Sequence, residues 1–211
     1  PFLANTSLTD DRVIGGQIIQ GSTIFQGARY FKKNFSSEGN RRRFTISVWC
    51  KRNITGTYVA FMGPYADNSN RDTFRIDNND RLEFQSTGNS SNCKTVARFR
   101  DTNAWYHVVM QLDTTQSTAS NRVKMYVNGD QITSFSSSDY PSQNENTSFN
   151  NTVQHAIGRA IEYSRYYDGY MAEINSIDGQ QLTPTSFAEE SNGVWKPIDT
   201  AGLTFGNNGF Y

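Results

Sequence analysis

Apolar and polar residues alternate with a period of two along much of the chain from Ala28 onward. This period is typical of β-strands, in which successive side chains point to opposite faces of a sheet. The alternation is clearest in segments 44–50, 106–112 and 123–127. Their apolar positions predict a core face buried between two sheets. The residues of this predicted core face are Phe44, Ile46, Val48, Val108, Met110, Leu112, Val123, Met125 and Val127.

Turn-forming residues separate the predicted strands. Asp and Asn occupy all of 77–80 between strand-like segments 73–76 and 81–85, which predicts a hairpin, because both residues tolerate left-handed turn conformations. Asn128–Gly129 predicts a second hairpin. Thr183 before Pro184 indicates a helix start, and Asn192–Gly193 indicates its end. The pattern predicts an all-β sandwich of two antiparallel sheets with one short helix near the C-terminus.

The first 28 residues lack a sustained period, although they contain several apolar side chains. We expect residues 1–28 to form an N-terminal arm that packs on a neighbouring subunit or domain, because isolated in water these side chains would be poorly covered. We expect the sandwich to span residues 29–190. We interpret residues 191–211 as a C-terminal segment that continues into further chain.

Composition excludes some classes of partner. The chain of 211 residues has 20 basic and 20 acidic residues, so no net positive charge favours nucleic acid. No apolar run approaches the roughly 18 residues that a membrane span needs, so we expect no membrane insertion. Two cysteines, Cys50 and Cys93, make no disulfide framework. Cys50 lies in the apolar phase of its strand, which is typical of a buried free thiol, and a bridge to Cys93 stays open as an alternative.

Five segments carry a family resemblance. They are FTISVWCKR (44–52), AWYHVVMQLD (104–113), RVKMYVNGDQI (122–132), HAIGR (155–159) and YYDGYMAEINSIDGQQL (166–182). In this order they resemble the concanavalin A-like jelly rolls of laminin-G domains and pentraxins. The resemblance implies a jelly-roll sandwich, in which binding and assembly are more frequent roles than catalysis.

Further stretches resemble structural proteins of tailed bacteriophages, especially marine ones. They are DTTQSTASNRVKMYVNG (113–129), YPSQNE (140–145), IDGQQLTP (177–184), GVWKP (193–197) and FGNNGFY (205–211). This resemblance implies a non-enzymatic structural module on the virion surface, in a tail, a fibre or appendage, or a head decoration. Its partners would be other virion proteins and copies of itself, most simply in a trimer, and it would serve assembly and host attachment. The alternative is a lectin-like module that binds carbohydrate, such as a host-surface glycan.

A glycosidase is the third interpretation. Glycosidases on the same fold carry the strand motif Glu-x-Asp-x-x-Glu, whose carboxylates act together on the glycosidic bond. Glu173, Asn175 and Asp178 have this spacing, but an amide replaces the middle carboxylate and a shorter acid replaces the last one. His107 and His155 are more typical of structural histidines than of general bases. We therefore expect no catalytic residues.

One loop has the composition of a binding surface. Tyr163, Arg165, Tyr166 and Tyr167 supply rigid aromatic area and a guanidinium, which favour contact with a protein partner or a sugar ring. The alternative is that Tyr166 and Tyr167 pack across the sandwich edge.

A second loop contains oxygen ligands of the kind that Ca²⁺ prefers. These are Asp67, Asn68, Asn70 and Asp72. The same cluster is also typical of a solvated turn. We expect no cofactor and keep Ca²⁺ as an open alternative.

Overall fold

The structure is a computed structural model that describes residues 21–67, 70–86, 88, 90–160 and 165–211. In chain order its strands are β1 (Thr23–Phe25), β2 (Phe31–Asn34), β3 (Arg43–Arg52), β4 (Val59–Asp67), β5 (Asn70–Ile76), β6 (Arg81–Ser86), β7 (Ser91–Arg98), β8 (Tyr106–Asp113), β9 (Val123–Val127), β10 (Asp130–Gln131), β11 (Phe135–Asp139), β12 (Gln154–Ile157), β13 (Arg159–Ala160), β14 (Arg165–Tyr166), β15 (Gly169–Asp178), β16 (Ala188–Ser191) and β17 (Val194–Pro197). Single 3-10 turns cover Ala119–Asn121 and Pro184–Ser186.

Two antiparallel sheets form the sandwich, which confirms the predicted fold class. The six-stranded sheet has the order β1-β15-β3-β8-β9-β10, and the seven-stranded sheet has the order β11-β7-β6-β5-β4-β12-β2. Two short hairpins, β13–β14 and β16–β17, stand apart from these sheets. None of the helical segments among the described residues is long and apolar enough to cross a membrane.

The core lies between the two sheets, and all nine residues of the predicted core face are buried there. The seven-stranded sheet contributes Phe74, Ile76, Leu82 and Phe84 from the β5–β6 hairpin. Cys50 and Cys93 are both buried free thiols, the first on the six-stranded sheet and the second on the seven-stranded sheet. The core is thus built from the apolar phase of period-two strands in both sheets.

Part of the predicted N-terminal arm belongs to the sandwich. Residues 23–25 form β1, which pairs with Gly169–Met171 of β15, and the Phe25 ring is buried in the core. The expectation that residues 1–28 pack elsewhere is therefore wrong for this strand, because three residues are too few to show a period. Residues 1–20 lie outside the described part of the chain.

The chain after β15, residues 179–205, folds back over the outer side of the six-stranded sheet, and from here on we use C-terminal segment for this stretch. Phe187 packs there against Val109 and Ile177, and Trp195 packs near Trp49. We call this side the covered face, and we call the outer side of the seven-stranded sheet the polar face.

The predicted C-terminal helix is reduced to the 3-10 turn at Pro184–Ser186, so the sequence pattern overestimated its length. Asn192 and Gly193 both have positive φ and form the turn between β16 and β17. Two consecutive left-handed residues are the geometry of a tight hairpin turn. The Asn-Gly pair therefore joins two strands, where the sequence analysis placed a helix end.

Candidate binding face

The β13–β14 hairpin lies directly on the polar face, across strand β4. A small residue makes this approach close, because Gly63 of β4 lies against the backbone of Arg159 and Ala160 in β13. A Cβ atom at Gly63 would lie 3.3 Å from the Arg159 carbonyl oxygen, tighter than ordinary packing allows. The hairpin therefore covers one part of the polar face and forms a raised border beside the remainder.

Tyrosines and arginines stack around this hairpin. The Arg159 guanidinium carbon lies 4.7 Å from the ring centroid of Tyr30 and 5.2 Å from that of Tyr166. The Arg165 guanidinium carbon lies 3.7 Å from the centroid of Tyr58. Each contact is in the range of a cation–π interaction. We call Tyr30, Tyr58, Arg159, Arg165 and Tyr166 the hairpin cluster.

A row of polar side chains crosses strands β5, β6 and β7 next to this cluster. Arg75 donates from Nε to Glu83 Oε2 at 2.6 Å and from Nη2 to Gln85 Oε1 at 2.6 Å. Asn92 Nδ2 donates to Glu83 Oε1 at 3.0 Å, and Lys94 Nζ lies 3.0 Å from the same oxygen. We call these five residues the polar row. The Arg75 guanidinium also lies 4.7 Å from the Tyr58 centroid, which joins the row to the hairpin cluster.

The strand register explains the row. Arg75 is directly opposite Glu83 on β6, and Glu83 is directly opposite Lys94 on β7. Directly opposed residues of antiparallel strands share one face and lie in side-chain contact. The neighbouring pairs Phe74–Phe84 and Phe84–Cys93 point into the core, so the charged residues point outward.

The electrostatics of the row keep its carboxylate ionised. Burial by itself raises the pKa of Glu83, but the charges and hydrogen bonds of Arg75 and Lys94 outweigh it and hold that pKa below its ordinary value. Within the described part of the chain, Arg75 Nη1 and Asn92 Oδ1 are buried without a hydrogen-bond partner. Buried polar atoms are normally paired, so these two atoms are exceptions within the row.

The predicted tyrosine and arginine loop divides between the surface and the core. Arg165 and Tyr166 belong to the hairpin cluster and are partly exposed. Tyr167 is 0% exposed, and its ring packs between Phe25 and Phe61. Its assignment to a binding surface is therefore wrong, because strand alternation turns it inward. Tyr163 lies outside the described residues.

Among the candidate calcium ligands, Asp67 and Asn70 contact each other, whereas Asp72 takes part in separate hydrogen bonds. Asp67 accepts a hydrogen bond from the Asn70 amide at 2.9 Å in the β4–β5 turn. Asp72 is buried and accepts hydrogen bonds from Ser148 and Ser86, while burial raises its pKa to about 6. Asn68 lies outside the described residues, among which no group of three His, Cys, Asp or Glu side chains could hold a metal ion.

The glycosidase-like motif is divided by a bulge in β15. Asn175 is opposite Ser47 on the covered face, whereas Asp178 is opposite Phe44, whose ring is in the core. The Asp178 carboxylate accepts hydrogen bonds from the Asn40 and Asn208 amides, at 2.6 and 3.0 Å. Strand alternation thus places Asn175 and Asp178 on opposite faces of the sheet, so the three side chains of the motif cannot line one face together.

Sequence reasoning missed a buried serine–histidine pair on the covered face. The Ser47 Oγ atom lies 2.8 Å from His107 Nε2, and Trp195 Nε1 donates to His107 Nδ1 at 2.9 Å. Indole N–H can only donate, so Nδ1 accepts and the His107 proton is on Nε2, directed at the serine. His107 therefore cannot take a proton from Ser47. Burial also lowers the pKa of His107 to about 3.

His155 is likewise satisfied. It accepts from the Asn150 amide at 3.1 Å, and its other ring nitrogen lies 2.9 Å from the Val153 carbonyl oxygen. Burial lowers its pKa to about 4. Both histidines have the structural environment that the sequence analysis expected.

Two antiparallel sheets with a polar outer face define a jelly roll of the lectin type. A family model for the Concanavalin A-like lectin/glucanases superfamily matches residues 25–185, so the chain belongs to this superfamily. A search of curated protein sequences finds no significant match.

Solved structures with similar folds have low sequence identity. The native heptameric SAP-like pentraxin of Limulus polyphemus is 11% identical over 86% of this chain and 96% of its own, with a TM-score of 0.52. Domain 4 of the arabinanase AbnA from Geobacillus stearothermophilus, in complex with arabinotriose, is 16% identical over 79% of this chain and 86% of its own, with a TM-score of 0.54. The NanB sialidase of Streptococcus pneumoniae is 13% identical over 82% of this chain and 27% of its own, with a TM-score of 0.56. At these identities the similarity is one of fold.

Proposed function

We propose that this domain is a non-catalytic module that binds glycan on its polar face. The observation that carries the proposal is the polar row beside the hairpin cluster, on the outer side of a sheet that the C-terminal segment leaves uncovered. Guanidinium and amide groups bind the hydroxyls of a sugar, and tyrosine rings pack on its apolar faces. The partly exposed side chains of Gln85, Lys94 and Arg165 supply donors and an acceptor of the kind that a hydroxyl group satisfies.

The absence of catalysis is part of the proposal. A Glu83 carboxylate held ionised by two cations is a poor general acid, because it has no proton to give near neutral pH. The tautomer of His107 prevents it from activating Ser47. The carboxylates of Glu173 and Asp178 are used in separate hydrogen bonds, to Tyr211 and to backbone amides.

We further propose that the module belongs to the surface of a tailed-bacteriophage virion, where it takes part in assembly and attaches to host glycan. This setting is supported by the phage-like stretches of the sequence, such as residues 113–129 and 205–211. Repetition of one module on a particle would multiply weak individual contacts with a cell surface.

Glycan binding is tested with a glycan array and titration of the best ligand. We expect Arg165→Ala to weaken binding by at least about tenfold, equivalent to about 1.4 kcal/mol. Arg42→Ala is the matched control, because this exposed arginine bonds Asn146 away from the polar face. Failure of the wild-type protein to bind any glycan, or equal weakening by both variants, would contradict the proposal.

The virion setting is tested separately with an antibody raised against the domain. Immunogold labelling of purified particles should decorate a tail, an appendage or the head surface. Particles that lack both the label and the polypeptide by mass spectrometry would contradict the setting while leaving glycan binding unaffected.

A further inference from the structure

Asp80 receives hydrogen bonds from three separate parts of the chain. Its Oδ1 atom accepts from Arg52 Nη2 at 3.0 Å and from the Gly56 backbone amide at 2.8 Å. Its Oδ2 atom accepts from Arg100 Nε at 3.1 Å, and its backbone carbonyl oxygen accepts from the Phe99 amide at 2.7 Å. Asp80 therefore joins the turn between β5 and β6 to the end of β3, to the loop after β3 and to the loop after β7.

The Asp80 carboxylate stays ionised although the residue is 4% exposed. Burial by itself raises the pKa of Asp80, but the hydrogen bonds from Gly56, Arg52 and Arg100 outweigh it and hold that pKa below its ordinary value. Hydrogen bonds to an ionised acceptor are stronger than those between neutral groups. The bond to Gly56 is therefore a strong anchor for the loop that contains this glycine.

This loop, residues 53–58 between β3 and β4, is fixed at two points. Asn53 donates from its backbone amide to the Asp168 carbonyl oxygen at 3.0 Å and from Nδ2 to Asp168 Oδ1 at 3.1 Å. Gly56 has φ of +71° and donates to the buried carboxylate described above. Tyr58 of the hairpin cluster follows Gly56 by two residues. The conformation of the loop therefore sets the position of the Tyr58 ring.

Tyr58 in turn contacts an arginine on each of two elements. Its ring centroid lies 4.7 Å from the Arg75 guanidinium carbon of the polar row and 3.7 Å from the Arg165 guanidinium carbon of the β13–β14 hairpin. Arg75 is buried, whereas Tyr58 and Arg165 are partly exposed. A displaced Tyr58 ring would therefore release Arg165, which is the residue of this set that a ligand on the polar face reaches.

We propose that Asp80 is a positioning residue of the polar face: its hydrogen bond to Gly56 fixes the Tyr58 ring, and the ring fixes Arg165. The effect on ligand affinity rests on the proposed glycan binding, whereas the positioning itself is measured without a ligand. The β5–β6 hairpin contains Arg75 and Glu83 in its strands and Asp80 in its turn. One hairpin thus supplies both the centre of the polar row and the anchor of the ring beside it.

The loop contact is tested with a matched pair of glycine variants. Gly56→Ala and Gly193→Ala each place a methyl group in open space on a residue with positive φ, +71° and +75°, so the backbone strain is similar. The first lies in the loop and the second in the turn of the β16–β17 hairpin. Gly56→Ala should weaken glycan binding by at least about fivefold, and Gly193→Ala should leave it unchanged. Equal affinities of the two variants would overturn the proposal.

A measurement without ligand separates failure of this proposal from failure of glycan binding. In the wild type the Tyr58 ring should shift the NMR signal of the Arg165 Nε proton upfield, because the guanidinium lies over its face. Tyr58→Leu removes the ring and gives the reference value. Gly56→Ala should move the signal toward that reference, and Gly193→Ala should not. An unchanged signal in Gly56→Ala would overturn the proposal, whereas the expected shifts in a protein that binds no glycan would support the positioning and contradict the glycan function.

The carboxylate is tested by substitution at Asp80 itself. Asp80→Ala removes the acceptor and should abolish the shift of the Arg165 signal. Asp80→Asn should retain the shift, because its amide oxygen accepts from Gly56 and asparagine tolerates the φ of +65°. Arg100→Ala is the control, since this side chain is 58% exposed and bonds the other carboxylate oxygen.

An Arg165 signal that is the same in Asp80→Ala and in the wild type would overturn the proposal, as would its loss in Arg100→Ala. If Asp80→Ala fails to fold because Arg52 loses its partner, the comparison of Gly56→Ala with Gly193→Ala decides the question.

Discussion

The covered face and the polar face bury polar side chains by different means. On the covered face the polar side chains are small or uncharged, and the C-terminal segment supplies their hydrogen-bond partners. Thr45 donates to the Gln180 carbonyl oxygen, and Gln111 donates to the Leu182 carbonyl oxygen. On the polar face Arg75 and Glu83 are 3% and 1% exposed, and they satisfy each other within the sheet. Charges that pair within their own sheet need no cover from another part of the chain, and the partly exposed Gln85, Asn92 and Lys94 around them remain available for contact with another molecule. The covered face, by contrast, requires a permanent cover.

The difference is also one of energy. Burying an ion pair requires close geometry and further hydrogen bonds to offset desolvation, which Gln85, Asn92 and Lys94 provide. Covering an uncharged face adds apolar burial, as Phe187 does against Val109. The covered face therefore contributes stability, and the polar face uses a costly arrangement that a binding role would explain.

The largest effect is expected from removing the cover. Phe187→Ala should lower the free energy of unfolding by about 3–5 kcal/mol, because a ring that is 2% exposed leaves a cavity. Urea titration measures the change. Val194→Ala in the adjoining β16–β17 hairpin is the control, because this side chain is 54% exposed and its loss should cost little. A loss below about 1 kcal/mol for Phe187→Ala would show that the cover is not part of the folded unit.

Breaking the buried ion pair should have the next largest effect. Glu83→Gln leaves Arg75 and Lys94 without their carboxylate and should cost about 3 kcal/mol. Adding Arg75→Met should recover part of this loss, so a double-mutant cycle should give a clear coupling energy. The surface pair Arg41–Glu38 is the control: the Glu38 side chain is 56% exposed, and Glu38→Ala should cost under about 1 kcal/mol. Additive losses for Arg75 and Glu83 would contradict a coupled row.

Acid should weaken the fold through its two buried histidines. His107 and His155 have lowered pKa values of about 3 and 4, so the unfolded chain binds protons that the folded chain does not, and stability falls as pH drops below 6.5. Asp72 has a pKa raised to about 6 in the folded state. As the pH falls, Asp72 therefore binds its proton at a higher pH in the folded chain than in the unfolded chain, which offsets the destabilising effect of one histidine. The net loss between pH 6 and 4 is about 1.4 kcal/mol per pH unit.

This slope is measured by urea titration across that pH range. His107→Gln should flatten it, because the remaining His155 is then balanced by Asp72. The Glu83 carboxylate of the polar row adds to the loss of stability only at lower pH, since its pKa is already lowered in the folded state. An unchanged slope in the variant would mean that His107 is not neutral in the folded state.

Much of the fold could be predicted from the sequence because period-two apolar positions determine which strand face is buried. The residues Phe44, Met110 and Val127, among the nine of the predicted core face, are all buried as expected. The polar positions, which lie on the other face of each strand, were less informative. Ser47 and His107 look like exposed positions, yet the C-terminal segment covers them, and such long-range covering has no local signal.

The candidate site depends on a register that the sequence left undetermined. With a four-residue turn at 77–80, Ile76 would lie directly opposite Arg81. In the structure Ile76 lies directly opposite Leu82. Asp80 adopts a left-handed φ of +65° that closes a shorter turn, in which Asp77 pairs with Arg81. A shift of one residue changes the partners across the hairpin, so the Arg75–Glu83 pair could not be found from composition alone.

The two buried thiols have a consequence for where this domain works. Burial raises the pKa of both Cys50 and Cys93 to about 12, so neither forms a thiolate at neutral pH, and they lie on different sheets. No covalent cross-link supports the fold, and no exposed thiol invites oxidation. The same folded state is therefore compatible with a reducing compartment and with an oxidising one.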